Sequence, residues 1–238
     1  MDTTITNLAT AIKAAHKIVF LTGAGVSTHS GIPDYRSKTG LYAASAAPEY
    51  LLSHDNLQDH PADFYEFVTQ RMYYPDAQPN LIHQEIAALC NDKGELITQN
   101  VDGLDKKAGN QHVIEFHGNL YDLYCQTCAK RVTYAEYARD FHHAKDGGII
   151  RPRIVLYGEA IDSSKSDRSV AAIAAADLIM IVGTSFRVYP FAQLLQYRSA
   201  AAQIFAINNE PIAAPEIHMI QMDALAAFTK LKEVLNEC

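Results

Sequence analysis

Short apolar runs alternate with segments of helical periodicity along most of the chain. Ile5, Leu8 and Ile12 recur at helical spacing, which predicts an amphipathic helix over residues 3–16. Apolar runs, several of them ending at glycine, predict buried strands over residues 18–21, 96–98, 112–116, 154–157, 178–182 and 204–207. Helical stretches follow from Phe191 and at the end of the chain, where one face carries Leu225, Phe228, Leu231 and Leu235.

This alternation predicts an α/β fold, a doubly wound parallel sheet with helices on both faces. Two segments interrupt the pattern, residues 37–93, which look helical and loopy, and residues 119–152, which contain a Cys-x-x-Cys pair. We expect both to be insertions that form a smaller lobe. Residues 1–36, 94–118 and 153–238 are assigned to the larger domain.

The composition and charge of the chain argue against several classes of protein and of binding partner. Among 238 residues, 20 Lys and Arg stand against 27 Asp and Glu, and the net charge of −7 argues against nucleic-acid binding. No apolar run approaches the roughly 20 residues of a membrane span. The first residues lack a basic signal-peptide region, and four cysteines are too few for a secreted disulfide framework. We therefore expect a cytoplasmic protein without a membrane partner, and its oligomeric state stays open.

A glycine-rich turn follows the first predicted strand. Its sequence, Gly23-Ala24-Gly25-Val26-Ser27, is typical of a dinucleotide phosphate site, because glycines let backbone N–H groups approach a pyrophosphate. Thr28 stands where the usual G-x-G-x-x-G pattern has its third glycine, and residue 45 is serine rather than an acid. An ordinary dehydrogenase is therefore disfavoured. A bare strand-to-helix turn is the alternative interpretation.

Further motifs follow this turn in a fixed order. The turn continues to Ser37 as Thr-His-Ser-Gly-Ile-Pro-Asp-Tyr-Arg-Ser, and then come Thr98-Gln-Asn-Val-Asp102, Glu115-Phe-His-Gly118, Tyr157-Gly-Glu159 and Gly183-Thr-Ser185. In this order they resemble the sirtuin family of NAD-dependent protein deacylases, of the bacterial type. The resemblance extends from Gly23 to the segment Asn208-Asn209-Glu210 and beyond, and it implies a Rossmann-like large domain.

The resemblance also implies NAD as the cofactor. The Gly23 turn would hold the pyrophosphate through its backbone and the Ser27 hydroxyl, and Tyr35, where the family usually has Phe, would cover the nicotinamide site. Arg36 would bind phosphate or ribose oxygens, with a surface salt bridge as the alternative. An Asx turn could coexist with the nicotinamide pocket at residues 99–102. The full set implied is Gly23, Ala24, Gly25, Ser27, Asp34, Tyr35, Arg36, Gln99, Asn100, Val101, Asp102, Gly183, Thr184, Ser185, Asn208, Glu210 and Ala224.

Catalysis is implied at His117, together with Asn100 and Asp102. In the family this histidine is the general base toward a ribose hydroxyl, and a neutral imidazole near pH 7 suits that task. The implied reaction yields nicotinamide, free lysine and O-acyl-ADP-ribose. ADP-ribosyl transfer or NAD hydrolysis on the same scaffold is the alternative enzyme activity, and a non-catalytic NAD-sensing module is a third.

Two segments resemble the edges between which sirtuins bind an acyl-lysine peptide as an added strand. The residues implied are Val155, Tyr157, Gly158 and Glu159 on one edge and Val188 on the other. Acidic-acyl sirtuins carry a Tyr and an Arg after the Arg36 motif, whereas here residues 40–44 read Gly-Leu-Tyr-Ala-Ala. A buried carboxylate without a cation is costly, so we expect acetyl or longer apolar acyl groups to be preferred over succinyl.

A structural zinc site is the last candidate. Sirtuins typically hold zinc with two Cys-x-x-Cys pairs, the second directly before Gly-Gly. Here Cys125 and Cys128 form the first pair, and His143 and Asp146 stand at the second, before Gly147-Gly148. All four side chains are acceptable zinc ligands, which predicts a degenerate zinc-ribbon-like module. The alternatives are a lobe that folds without metal, and His142 as the ligand in place of His143.

Overall fold

The structure is a computed structural model that describes residues 3–35, 40–41, 48–212 and 216–236. The strands are β1 (Ile18–Thr22), β2 (Gly94–Thr98), β3 (Val113–Glu115), β4 (Gly118–Cys125), β5 (Arg131–Val132), β6 (Ile150–Ile154), β7 (Leu178–Val182), β8 (Gln203–Asn208) and β9 (Ile217–Gln221). The α-helices are α1 (Thr3–Ala14), α2 (Pro48–Leu51), α3 (His54–Asp59), α4 (Pro61–Arg71), α5 (Leu81–Lys93), α6 (Leu104–Lys107), α7 (Tyr134–Tyr137), α8 (Ser163–Ala175) and α9 (Ala224–Asn236).

Six strands form a parallel sheet in the order β3-β2-β1-β7-β8-β9. Every residue of β1 is buried, because helices cover both faces of the sheet. Ile18 and Phe20 point into the cluster under α1, α5 and α9, and Val19 and Leu21 into the cluster under α8. The predicted doubly wound fold is confirmed. The strand order reverses between β1 and β7, which is where such sheets bind ligands at their carboxyl ends.

The smaller sheet is antiparallel, in the order β5-β4-β6, and packs with α3, α4 and α7 around an aromatic core that includes Phe64 and Tyr137. A strand over residues 154–157 was expected, and this is wrong. The strand is β6, which ends at Ile154 and belongs to the small sheet. After it, the Val155 N–H donates to the carbonyl of His117 and the Tyr157 N–H to that of Leu52, so loops satisfy this backbone.

Helix α5 is the last element within residues 37–93, which the sequence analysis assigns to the smaller lobe. Its buried residues Ile82 and Ile86 lie in the core of the large sheet, and the helix contacts β1, β2 and α9. Helix α5 thus packs with the large sheet, and the boundary of the first insertion stays a prediction. In the described part of the chain, no helix has both the length and the apolar character that crossing a bilayer requires.

Candidate functional site

The glycine-rich turn joins the ends of β1 and β7. The Gly23 N–H donates to the Val182 carbonyl at 3.2 Å, and the Gly25 N–H donates to the Gly183 carbonyl at 2.8 Å. A Cβ atom on Gly25 would lie 2.7 Å from the Gly183 oxygen, which real Cβ atoms do not tolerate. Gly183 itself has a φ of +60°, which favours glycine. The two turns therefore interlock, and only glycine permits this approach.

A cleft of about 710 Å³ opens at this edge of the sheet. It brings together most residues that the sequence predicts for the cofactor and the substrate: Gly23, Ala24, Gly25, Asp34, Tyr35, Gln99, Asn100, Val101, His117, Val155, Tyr157, Gly158, Glu159, Gly183, Thr184, Ser185, Val188, Asn208 and Glu210. Ser27 and Asp102 line a smaller inner pocket that shares Ala24, Tyr35 and Asn100 with the cleft. The segments are far apart in the chain, so the parallel sheet assembles the site.

His117 follows β3 and lines the cleft. Its Nδ1 lies 3.3 Å from the Gln99 carbonyl oxygen, which can only accept, so the neutral ring carries its proton on Nδ1 and leaves Nε2 with a free lone pair. Burial and the nearby Lys165 lower the pKa of His117, and the hydrogen bond to the Gln99 carbonyl raises it by less. The net effect is a lowered pKa. The imidazole is therefore neutral near pH 7 and able to accept a proton at Nε2.

Ser27 is the centre of a buried polar network beneath the cleft. Its hydroxyl donates to Asp102 Oδ2 at 2.7 Å, and Asn100 Nδ2 donates to the Ser27 hydroxyl oxygen at 3.3 Å. His83 Nε2 lies 3.4 Å from it, and burial lowers the pKa of His83 to about 4. Burial also raises the pKa of Asp102, although the Leu104 N–H and the Ser27 hydroxyl oppose that rise. The network fixes Asn100 and Asp102 in place from below.

One wall of the cleft is the loop after β6. Glu159 accepts two hydrogen bonds from the buried Arg151, at 2.6 and 3.1 Å, and one from the Leu156 N–H at 3.0 Å. His54 Nδ1 lies 3.2 Å from the same carboxylate. Burial raises the pKa of Glu159, but Arg151 and the Leu156 N–H lower it by more. The carboxylate thus anchors the loop, and its charge is already compensated.

The opposite wall follows β7. The Thr184 hydroxyl accepts from Gln99 Nε2 at 2.9 Å and from the Phe186 N–H at 3.0 Å. Phe186 has a φ of +55°, which is uncommon for a bulky residue and is typical of functional loops. Its ring lies 6.0 Å from that of Phe191. These contacts hold the segment from Thr184 to Val188 against the cleft.

Among the described residues, Ala224 is the predicted cofactor residue that lines neither the cleft nor the inner pocket. Ala224, at the start of α9, is only 6% exposed and belongs to the core of the large sheet. Its place near the cofactor is expected from the resemblance and stays a prediction, while its side chain packs with the core under α9. Arg36 lies outside the described residues, as does Tyr42 in the segment considered for acyl preference.

Three residues of the site were missed from the sequence. Asn80 caps α5 and donates to the Val26 carbonyl at 2.8 Å, which ties the helix to the glycine-rich turn. His83 lies one turn further along α5 and reaches Ser27, and Arg151 holds Glu159. Asparagine before the apolar positions of a helix is a capping signal that could have been found. Arg151 sits in a strand and gives no such signal.

The predicted metal ligands come together in the small sheet. The ligand atoms of Cys125, Cys128, His143 and Asp146 all lie within 4.8 Å of one another. Tetrahedral zinc with thiolate, imidazole and carboxylate ligands requires donor atoms roughly 3–4 Å apart, so the donor set suits Zn²⁺ in chemistry and spacing. His142 Nδ1 is instead engaged by Asp140 at 2.9 Å, outside the cluster. Both cysteines are free thiols.

Comparison with known proteins agrees with this geometry. The sequence profile of the Sir2 family matches residues 23–190. An NAD-dependent protein deacetylase of Listeria innocua is 55% identical over 227 residues, which cover 94% of this chain and 99% of the relative. Another, of Lactiplantibacillus plantarum, is 50% identical over 226 residues, with coverage of 94% and 97%.

Solved structures of Sir2 enzymes share the fold over nearly their whole length. One, solved to explain the mechanism and regulation of these enzymes, has a TM-score of 0.89 at 30% identity and covers 100% of this chain and 99% of its own. A second holds a deacetylated p53 peptide and 3′-O-acetyl ADP ribose, with a TM-score of 0.88, 28% identity and coverage of 96% and 97%. On its motifs, its fold and these likenesses, the chain belongs to the Sir2 family.

Proposed function

We propose that this protein is an NAD-dependent protein-lysine deacetylase that releases nicotinamide and free lysine and transfers the acyl group to ADP-ribose. The observation that carries this proposal is the neutral imidazole of His117 in the cleft, held through Nδ1 by the Gln99 carbonyl at 3.3 Å. Its relatives with this domain carry the same activity in their names.

The cleft suits NAD in shape and in chemistry. Backbone without side chains at Gly23 and Gly25 lets a pyrophosphate approach closely, and the topological switch point lies between β1 and β7. When bound, NAD supplies the ribose carbon that the acyl oxygen attacks and the hydroxyl that later receives the acyl group. Asn208 and Glu210, after β8, would hold the adenosine ribose. Asn100 and Asp102 would orient the nicotinamide end.

The residues of this chain would position the reactants, exclude water from the site and make one proton transfer. His117 Nε2 takes the proton from a ribose hydroxyl, and the Gln99 carbonyl stabilises the resulting imidazolium through Nδ1–H. The acyl-lysine peptide lies as an added strand between the loop 155–159 and Val188, which line the same cleft. The protein walls then exclude water from the reacting carbon.

The cysteine-containing cluster would hold one structural Zn²⁺ through Cys125, Cys128, His143 and Asp146. It takes no part in the reaction. Strand β4 runs from Gly118, next to the base, to Cys125, and eight residues of strand separate the two by roughly 20 Å. The ion would instead join the hairpin of β4 and β5 to the loop before β6. The remaining lobe boundaries and the cytoplasmic location also stay predictions from the sequence.

The test is an acetylated peptide incubated with NAD and followed by mass spectrometry. We expect deacetylated peptide and O-acetyl-ADP-ribose from the wild type. His117→Ala should lower turnover by about two to four orders of magnitude, the scale of a general base, with NAD binding nearly intact. The matched control is His112→Ala, at an exposed histidine before β3. ADP-ribosylated protein, NAD hydrolysis alone or equal turnover in the His117 variant would contradict the proposal.

A further inference from the structure

Arg187 is an exposed cation in the lining of the cleft. It stands between Phe186 and Val188, on the wall that follows β7. Among the described residues, no ion pair involves its guanidinium. An arginine in a binding cleft without a carboxylate partner retains its charge for a ligand, because the guanidinium is always protonated.

The backbone around Arg187 is fixed rather than loose. The Phe186 N–H donates to the Thr184 hydroxyl at 3.0 Å, and the Val188 carbonyl accepts from the Ala192 N–H at 2.9 Å. Phe186 is held at a φ of +55° between these bonds. The guanidinium is thus presented from a defined position on the wall.

The facing wall offers no comparable free charge. Glu159 is compensated by Arg151 and by two further hydrogen-bond donors. The other acidic side chains of the lining, Asp34 and Glu210, come from the loops after β1 and β8, and neither forms an ion pair with Arg187. The peptide-binding part of the cleft therefore carries a local positive charge on a protein whose net charge is −7.

We propose that Arg187 selects acyl-lysine peptides that carry an acidic residue close to the modified lysine. This inference rests on the proposed function, since it assumes a peptide strand beside Val188. Side chains that face each other across paired strands are about 5 Å apart, and diagonal neighbours are within reach of a long side chain. A Glu or Asp within a few positions of the lysine can therefore meet the guanidinium.

The test uses acetyl-lysine peptides with Glu, Gln or Lys at each of the three positions on either side of the lysine. For each enzyme variant, the ratio of kcat/KM between the Glu and Gln peptides is measured, which cancels any loss of folded protein. In the wild type we expect Glu to be preferred by about two- to fivefold at one or two positions, as exposed ion pairs allow. Raising the salt should reduce this ratio.

Substitutions separate a charge effect from a structural one. Arg187→Gln should bring the ratio to about one, and Arg187→Glu should invert it in favour of the Lys peptide. Lys230→Glu, at an exposed lysine of α9, changes the net charge equally and should keep the wild-type ratio.

Three results would overturn the proposal. These are equal ratios in the wild type and Arg187→Glu at every position, a shift of the same size in the Lys230 control, and a rise of the KM for NAD alone in the Arg187 variants. Fluorescence anisotropy with the same labelled peptides gives Kd ratios without turnover. If no peptide is deacetylated, the proposed function fails, and the Kd ratios still decide the role of Arg187.

Discussion

Asp105 is a buried acid beneath the site, and replacing it tests the electrostatics of this region. It lies in α6 and is 4% exposed. Burial raises the pKa of Asp105 to about 8, the neighbouring Asp102 raises it as well, and a hydrogen bond from the Thr98 hydroxyl opposes the rise. Thr98 also accepts from the Asn100 N–H at 3.1 Å, so Asp105 belongs to the layer that supports the cleft.

The raised pKa makes the folded state bind one more proton than the unfolded state between about pH 4 and pH 8, because an unfolded Asp titrates near 3.9. The free energy of unfolding contributed by Asp105 is therefore lost as pH rises through this window. The limiting slope is about 1.4 kcal/mol per pH unit, or about 3 kcal/mol between pH 5 and pH 7. Asp105→Asn removes this titration while keeping an acceptor for Thr98.

Urea unfolding at pH 5, 6, 7 and 8 measures the effect, followed by far-UV circular dichroism or by tyrosine fluorescence, since the chain has 13 Tyr and no Trp. The stability of Asp105→Asn relative to wild type should increase with pH at nearly the slope above. The control is Asp92→Asn, at an exposed acid after the last buried turn of α5, whose difference from wild type should be flat. A flat difference for Asp105→Asn as well would refute the protonated buried carboxyl.

Three further changes test other parts of the structure. Gly25→Ala puts a Cβ 2.7 Å from the Gly183 oxygen, so it should weaken NAD binding at least about tenfold and cost about 1–3 kcal/mol of stability. A calorimetric Kd for NAD near the wild-type value would contradict this. Gently purified protein should hold about one equivalent of zinc, which a chelator removes, and the Asp146→Cys variant should bind zinc more tightly. A zinc content below a tenth of an equivalent, with stability unchanged by chelator, would exclude the site. Acetyl peptide should be processed faster than succinyl peptide of the same sequence, and the reverse order would refute the acyl preference.

The large sheet could be predicted because its strands are short apolar runs buried on both faces, as in β1 and β7. β9 was not predicted, since two of the five residues in its sequence Ile-His-Met-Ile-Gln are polar and the strand lies at the edge of the sheet. The segment 154–157 was misassigned because apolar residues beside a glycine look alike in a strand and in a loop that lines a cleft. Local patterns also carry no information on which distant side chains meet, so the contact of His83 with Ser27 could not be foreseen.

Hydrogen-bond directions refine what the glycine-rich turn can offer to NAD. Ser27 has one hydroxyl proton, and it is donated to Asp102 Oδ2 at 2.7 Å. Asn100 Nδ2 must then donate to Ser27, and so must His83, whose Nδ1 accepts from the Asn80 N–H. This tautomer is that of a neutral ring, in accord with a pKa lowered to about 4.

The Ser27 hydroxyl is therefore fully engaged within the protein and has no proton left for a phosphate. The amides of the turn can be assigned in the same way. Gly23 and Gly25 donate to Val182 and Gly183, and the N–H groups of residues 26 and 27 donate to the carbonyls of Gly23 and Ala24. Within the described residues, the Ala24 N–H is the amide of this turn that has no acceptor. We therefore expect the pyrophosphate to be held by the Ala24 N–H and by close approach to the glycines, with Ser27 acting through Asp102 and Asn100.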